Sequence, residues 1–182
     1  MDAKTFQLAT GVSAPRAAQW STVITAAMEK FGITTPARQA AFLAQCGHES
    51  LGFSLTREIW GPTAAQIGYE GRADLGNLQR GDGSTFRGRG LIQITGRTNY
   101  MRAGMALGID LVANPQLVEG DELAALTAGW FWSWKELNAL ADAGDFLTIS
   151  IRINGRNKKT GLPNGWEDRQ ARWAKAKSAL AA

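Results

Sequence analysis

The 182-residue sequence predicts an all-α fold with at most a minor β element. Three observations carry this. Apolar residues recur at three- and four-residue spacing along several stretches. Helix start signals precede some of these stretches. Clean two-residue alternation is confined to one short segment, "ISIRI", which also fits a helix.

Residues 3–9 form one short predicted helix. The next runs over 15–30 from Pro15, with Ala17, Trp20, Ile24, Ala27 and Phe31 along one face. A third starts at Pro36, where a missing N–H costs nothing, with Thr35 as its cap. Ala40, Leu43, Ala44 and Gly47 recur along it, small enough for close helix contact. Residues 50–90 break the pattern. They are rich in glycine and polar residues, with a short helix beginning near Thr63, and so long an irregular stretch is usually functional or disordered. Residues 97–108 return to helix, and Asn114–Pro115 is a turn. "DELAALTAGWFWSWKEL" is strongly helical, with Leu123, Leu126, Trp130 and Trp134 as its apolar stripe. Asp121 and Glu122 sit at its positive end. "FLTISIRING" fits strand or helix; helix is favoured, ending at Asn154–Gly155. Residues 165–180 form the last helix, with Trp166, Trp173 and Leu180 inward.

One globular domain over 1–182 is expected, with no separate wall-binding domain. Apolar residues make up 45% and charged residues 20%, which excludes a disordered chain. The single cysteine cannot form an internal disulfide. Neither a signal peptide nor a membrane span is expected, so action outside the cell would need another route of release. The net charge of +4 is uneven. Residues 1–151 carry twelve basic and fourteen acidic residues, and residues 152–182 carry eight and two. A basic C-terminal segment suits an anionic partner, or is simply a solvated helix face.

The chemistry centres on "AQCGHES", which holds the only histidine and the only cysteine. A zinc protease site needs two histidines one helical turn apart, and His48 has no partner. Cys46 and His48 are two residues apart and point to different sides of a helix, so they do not pair there. Cys46 reads as a packing residue. Acid chemistry remains. Glu49 falls at the end of the helix begun at Pro36, where the negative helix end disfavours a bare carboxylate charge, as a general acid requires. Glu58 follows nine residues later. Two carboxylates flanking a cleft are the minimum for glycoside hydrolysis, though spacing alone equally allows a surface ion pair at Glu58. "FRGRGLIQITGRTNY" sets Gln93, Thr95 and Asn99 among glycines and arginines; if extended, Gln93 and Thr95 share one side. Such groups suit a sugar or a bound water, or a hydrogen-bonded turn. The stretch lacks the phosphate-loop pattern.

Taken together and in order, "FLAQCGHES", "FRGRGLIQITGRTNY", "ISIRING" and "WEDR" resemble the family 19 chitinases and their phage and prophage endolysin relatives. The resemblance implies a lysozyme-like, helix-rich domain of two lobes with a cleft, and an inverting mechanism. It makes Glu49 the general acid, Glu58 the general base and Thr95 a holder of the attacking water. Gln93, Asn99 and Asn154 match substrate-contacting positions. Arg169 matches an arginine of the acidic network around the base, His48 a support for the acid, and Tyr100 a residue packed beneath the cleft. No metal and no cofactor are implied. The expected substrate is the β-1,4-linked glycan of peptidoglycan. The expected setting is an endolysin, monomeric, made in a host cytoplasm and released by a holin to a Gram-negative periplasm, with no nucleic-acid partner and no stable membrane insertion. A chitinase is the alternative, and a non-catalytic wall-binding protein a further one.

Overall fold

The computed structural model describes residues 1–181. The described residues form ten α-helices: α1 (Ala3–Thr10), α2 (Ala14–Lys30), α3 (Pro36–Glu49), α4 (Ala64–Ile67), α5 (Asp82–Thr85), α6 (Arg97–Leu107), α7 (Asp121–Trp134), α8 (Leu137–Asp142), α9 (Phe146–Asn154) and α10 (Trp166–Leu180). Among the described residues no helix is long and apolar enough to cross a membrane. Among the described residues the β content is two isolated bridges, Arg57 with Arg89 and Arg89 with Ile94. The all-α expectation holds, and the minor β element is these bridges.

The central element is α3. Thr35 caps it by accepting from the Arg38 N–H. Every residue from Ala40 to Gly47 is buried, so this part of the helix is covered on all sides, while its first turn at Pro36 and Ala37 is exposed. α10 packs along it, while α1 touches α2, α3 and α10, and α2 lies against α7. Phe42 meets Trp132 edge-on at 5.4 Å, joining α3 to α7.

Two apolar stripes match expectation in part. On α7 the buried residues are Ala124, Ala125, Thr127, Ala128, Gly129, Trp130 and Trp132, so Trp130 lies inward as expected, while Leu123 and Leu126 are half-buried and Trp134 is exposed. α2 packs against this helix, and exposed Trp134 stacks on buried Trp130 at 5.4 Å. On α10 the fully buried positions are Arg169 and Ala176; Trp166, Trp173 and Leu180 pack at the margin. Trp173 stacks on Phe146 of α9 at 4.5 Å.

The glycine-rich stretch is ordered by side-chain hydrogen bonds rather than by long elements. Glu70 accepts from the backbone N–H of Gly81 and Gly83. Asp82 is buried and receives Arg97 Nη2 at 2.6 Å. The hydrogen bonds from Arg97 hold its carboxyl below the usual carboxylate range against the cost of burial. Asn77, wholly buried, donates to Tyr69 O and accepts from Arg97 N. These bonds tie the insert to the start of α6.

Candidate active site

Glu49 is the last residue of α3. The chain then reverses through three consecutive left-handed residues, Leu51 (φ 51°), Gly52 (φ 70°) and Phe53 (φ 59°). Left-handed backbone is unfavourable for residues with a Cβ and persists where surroundings enforce it. Here they do. Buried Ser50 donates through Oγ to Cys46 O at 2.6 Å and accepts from Phe53 N at 2.9 Å. Trp20 Nε1 donates to Phe53 O at 3.1 Å, and the Phe53 ring sits 5.1 Å from Phe6. The turn following Glu49 is thus fixed by buried groups.

Arg169 reaches Glu49 from α10. Its Nη2 donates to Glu49 Oε1, its Nη1 to Gln45 Oε1, and its Nε to Asn164 O at 3.0 Å. Gln45 in turn donates to Ser150 Oγ at 2.7 Å. Arg169, Gln45 and Ser150 are wholly buried. Arg169 therefore bonds to Glu49 and, among the described residues, makes no hydrogen bond to Glu58, around which the resemblance had set it. The reason lies in α10, which packs along α3 and lays Arg169 beside the face carrying Gln45 and Glu49. The nearest charge to Glu49 is this guanidinium, which offsets the negative end of α3.

His48 points elsewhere. Its Nδ1 donates to Asp168 Oδ2 at 2.7 Å, and Arg172 Nε donates to the same oxygen. Burial opposes ionisation of Asp168, but bonds from Arg172 and His48 outweigh it and lower its pKa. Gly165 lies close against the imidazole: a Cβ there would stand 2.1 Å from His48 Cε1, and its φ is +69°. His48 thus pins α10 to the end of α3, and its support of Glu49 is indirect. Cys46 is wholly buried, and burial, then the Glu49 charge, push its thiol pKa up.

Glu58 forms the second cluster. Its Oε1 accepts from Gln66 Nε2 at 3.0 Å and Tyr69 OH at 3.1 Å, and its Oε2 from Gly88 N at 3.0 Å. The backbone of Glu58 is held too, its N–H donating to Gly88 O. A Cβ on Gly88 would meet Gln93 Oε1 at 2.8 Å, Glu58 Oε2 at 3.3 Å and Thr95 Oγ1 at 3.4 Å. Three oxygen-bearing side chains converge on a point that only glycine leaves open. Gln93 and Thr95 do face the same place, though not on an extended segment. Gln93 is left-handed (φ 57°), and residues 89–94 close a turn with Arg89 and Ile94 bonded N–H to carbonyl in both directions. Asn99 donates to Thr95 O at 2.8 Å and braces this turn. Tyr100 is buried below it, donating to Arg87 O at 2.6 Å and accepting from Arg89 Nη1 at 3.0 Å. Asn154 stands on the Arg169 side, its Oδ1 accepting from Asn164 N at 3.0 Å. A pocket of about 620 Å³ opens beside Glu58, lined also by Trp60, Arg87, Arg57 and Glu119.

With this geometry in view, the family profile described as chitinase class I, glycoside hydrolase family 19, matches residues 17–142. The chain belongs to glycoside hydrolase family 19.

It is therefore a glycoside hydrolase. A family 19 domain-containing protein of Haemophilus influenzae is 37% identical over 161 residues, covering 72% of this chain and 78% of that protein. The acidic 27 kDa endochitinase of Solanum lycopersicum is 48% identical over 94 residues, 51% of this chain but 35% of its own length. Among solved structures, a bacterial family 19 chitinase superposes with a TM-score of 0.77 at 25% identity, covering all of this chain and 95% of that one. Chitinase C from Streptomyces griseus gives 0.75 at 26% identity, covering all of this chain and 76% of that one. The family 19 match includes Glu49, Glu58, Gln93, Thr95, Asn99 and Tyr100; Asn154 and Arg169 lie beyond it.

Sequence reasoning missed Gln45, Gln66, Tyr69, Gly88 and Ser150. Two signals were available. Gln45 precedes Glu49 by four residues and so shares its helix face. Thr63 and Gln66 form a capping box, which places the Gln66 side chain at the start of α4, near Glu58.

Proposed function

We propose that this family 19 hydrolase cuts the β-1,4 bonds of peptidoglycan glycan strands with inversion, as an endolysin. The observation that carries the chemistry is the Glu58 carboxylate, held by three neutral donors beside the Thr95 hydroxyl. All three neighbours donate, so the carboxylate is an oriented acceptor, as a base toward water must be. Glu49 is the general acid that protonates the glycosidic oxygen. Glu58 takes a proton from a water that Thr95 also holds, and that water attacks the face opposite the leaving group. Charge developing on the sugar ring is stabilised by the carboxylates. Gln93, Asn99 and Asn154 line or brace the sugar-binding surface.

Peptidoglycan is favoured by charge. Arg152, Arg156, Lys158, Lys159, Lys175 and Lys177 are all exposed in the C-terminal segment, which suits an anionic wall. Release by a holin to the periplasm of a Gram-negative cell, acting as a monomer, completes this reading. Chitin is the second reading, supported by the tomato relative named as an endochitinase.

Clearing of outer-membrane-stripped Gram-negative cells tests the proposal. The Glu49→Gln protein should stay folded, because the amide keeps an oxygen for Arg169, and should lose on the order of 10²–10⁴-fold in rate. Equal clearing by both proteins would sink the assignment. Fragments identified by mass spectrometry fix the bond, and release of chitin oligomers without wall fragments would move the substrate to chitin.

A further inference from the structure

The pocket beside Glu58 carries an uncompensated cation. Three guanidiniums, of Arg57, Arg87 and Arg89, stand with two carboxylates, of Glu58 and Glu119. Glu119 is shared, receiving Arg89 Nε at 2.7 Å and Arg57 Nη1 at 3.4 Å. Glu58 takes only neutral donors. Among the described residues no carboxylate pairs with Arg87.

Yet Arg87 is held in place. Its Nε donates to Ser84 O at 2.7 Å. Its guanidinium lies over the Trp60 ring, 4.5 Å from the centroid, and Trp60 leans on Tyr69 at 6.3 Å. Tyr69 is a donor to Glu58, and Gly88, next in sequence to Arg87, is another. A guanidinium held over an aromatic face, its terminal nitrogens making no hydrogen bond among the described residues, is placed to take a planar anion in two parallel bonds. Burial, then the neighbouring charges of Arg89 and Arg57, push the Arg87 pKa down, so an incoming anion would relieve an existing repulsion.

We propose that Arg87, seated on Trp60, binds a carboxylate of the glycan substrate and makes the site selective for acidic over neutral β-1,4 glycans. This rests on the peptidoglycan reading. Chitin is neutral. A muramic acid residue carries a lactyl carboxyl, free in denuded strands and otherwise extended by a peptide with carboxylates of its own. Both sources offer the same planar anion.

The test compares kcat/KM on three preparations: peptide-bearing strands, denuded strands with free lactyl carboxylates, and denuded strands with those carboxyls reduced to alcohols. The wild-type protein should prefer carboxylate-bearing strands on the order of ten- to a hundredfold. Arg87→Met should collapse that ratio toward one, chiefly through KM, and Arg87→Lys should keep part of it. Preference only for peptide-bearing strands assigns the peptide carboxylates; preference for denuded over reduced strands assigns the lactyl group. No preference in the wild type overturns the proposal. So does an Arg87→Met protein that slows all three equally, which marks a merely structural residue. A wild-type protein that cuts chitin oligomers and none of the three preparations overturns the peptidoglycan reading itself, and the proposal with it.

Discussion

The Glu49 carboxylate is bonded to the guanidinium of Arg169, a wholly buried side chain 120 residues later in the sequence. A buried cation is tolerated only when its donors are satisfied, and this one spends them on Glu49, Gln45 and the Asn164 carbonyl. Arg169→Leu should therefore do two things at once. It leaves Glu49 and Gln45 without their donor, at about 3–5 kcal/mol of folding stability. It also frees the Glu49 side chain to wander, so activity should fall even below the melting transition. Urea unfolding read alongside glycan hydrolysis checks both. A variant as stable as the wild type would show that the cluster carries no structural weight.

The Glu58 cluster makes a subtler prediction. Tyr69→Phe removes one donor to Oε1 and leaves Gln66 and Gly88 in place. The carboxylate stays but is less firmly aimed. The expected loss is on the order of tenfold in kcat, with KM little changed and stability within about 1 kcal/mol of the wild type. A rise in KM at constant kcat would instead make Tyr69 a substrate-binding residue.

These two clusters differ in how far the sequence revealed them. Helix α3 was legible because its signals are local: Thr35 caps, Pro36 opens, and Glu49 falls at its end. The helical reading of residues 146–154 also held, because Asp145 caps it through the Thr148 N–H and its buried residues, Phe146, Ile149 and Ser150, fall at helical spacing. The partner of Arg169 was not legible, since it depends on how α10 lies along α3. Of the two readings left open at Gln93, an extended segment or a hydrogen-bonded turn, the turn is the one found, for a related reason. The left-handed φ of Gln93 is imposed by the return bonds between Arg89 and Ile94, which period-two reasoning does not contain. The short helices α5 and α8, of four and six residues, were missed because they are too short to show a period.

Gly88 is where packing and chemistry meet. Gly88→Ala places a methyl 2.8 Å from Gln93 Oε1, 3.3 Å from Glu58 Oε2 and 3.4 Å from Thr95 Oγ1. Gln93 is the end of a flexible side chain and can swing away, so the fold should survive. The methyl then occupies the space between the Glu58 carboxylate and the Thr95 hydroxyl. Hydrolysis should drop on the order of a hundredfold while the thermal midpoint moves by only a few degrees. Full activity in this variant would mean that Glu58 and Thr95 do not act on a common water.

Tyr100 gives the fold an alkaline limit. Burial pushes its phenol up to about 12 from an ordinary 10.0, against the opposing charge and hydrogen bond of Arg89. The sign follows from linkage. Below pH 10 the phenol is protonated in both the folded and the unfolded chain, and its contribution is fully present. Between pH 10 and about 12 the unfolded chain releases the proton while the folded chain keeps it, so stability falls as pH rises. The loss attributable to this residue is roughly 3 kcal/mol across the window. Tyr69, whose phenol is also raised by burial and by Glu58, adds in the same direction. Tyr100→Phe should flatten the slope of unfolding free energy against pH in that window. At neutral pH it should cost about 1–3 kcal/mol, because the Arg87 carbonyl and the Arg89 guanidinium each lose a partner. Urea unfolding across the alkaline range, with phenolate absorbance followed in parallel, reads both effects. An identical slope in the wild type and the variant would assign the alkaline limit to other groups.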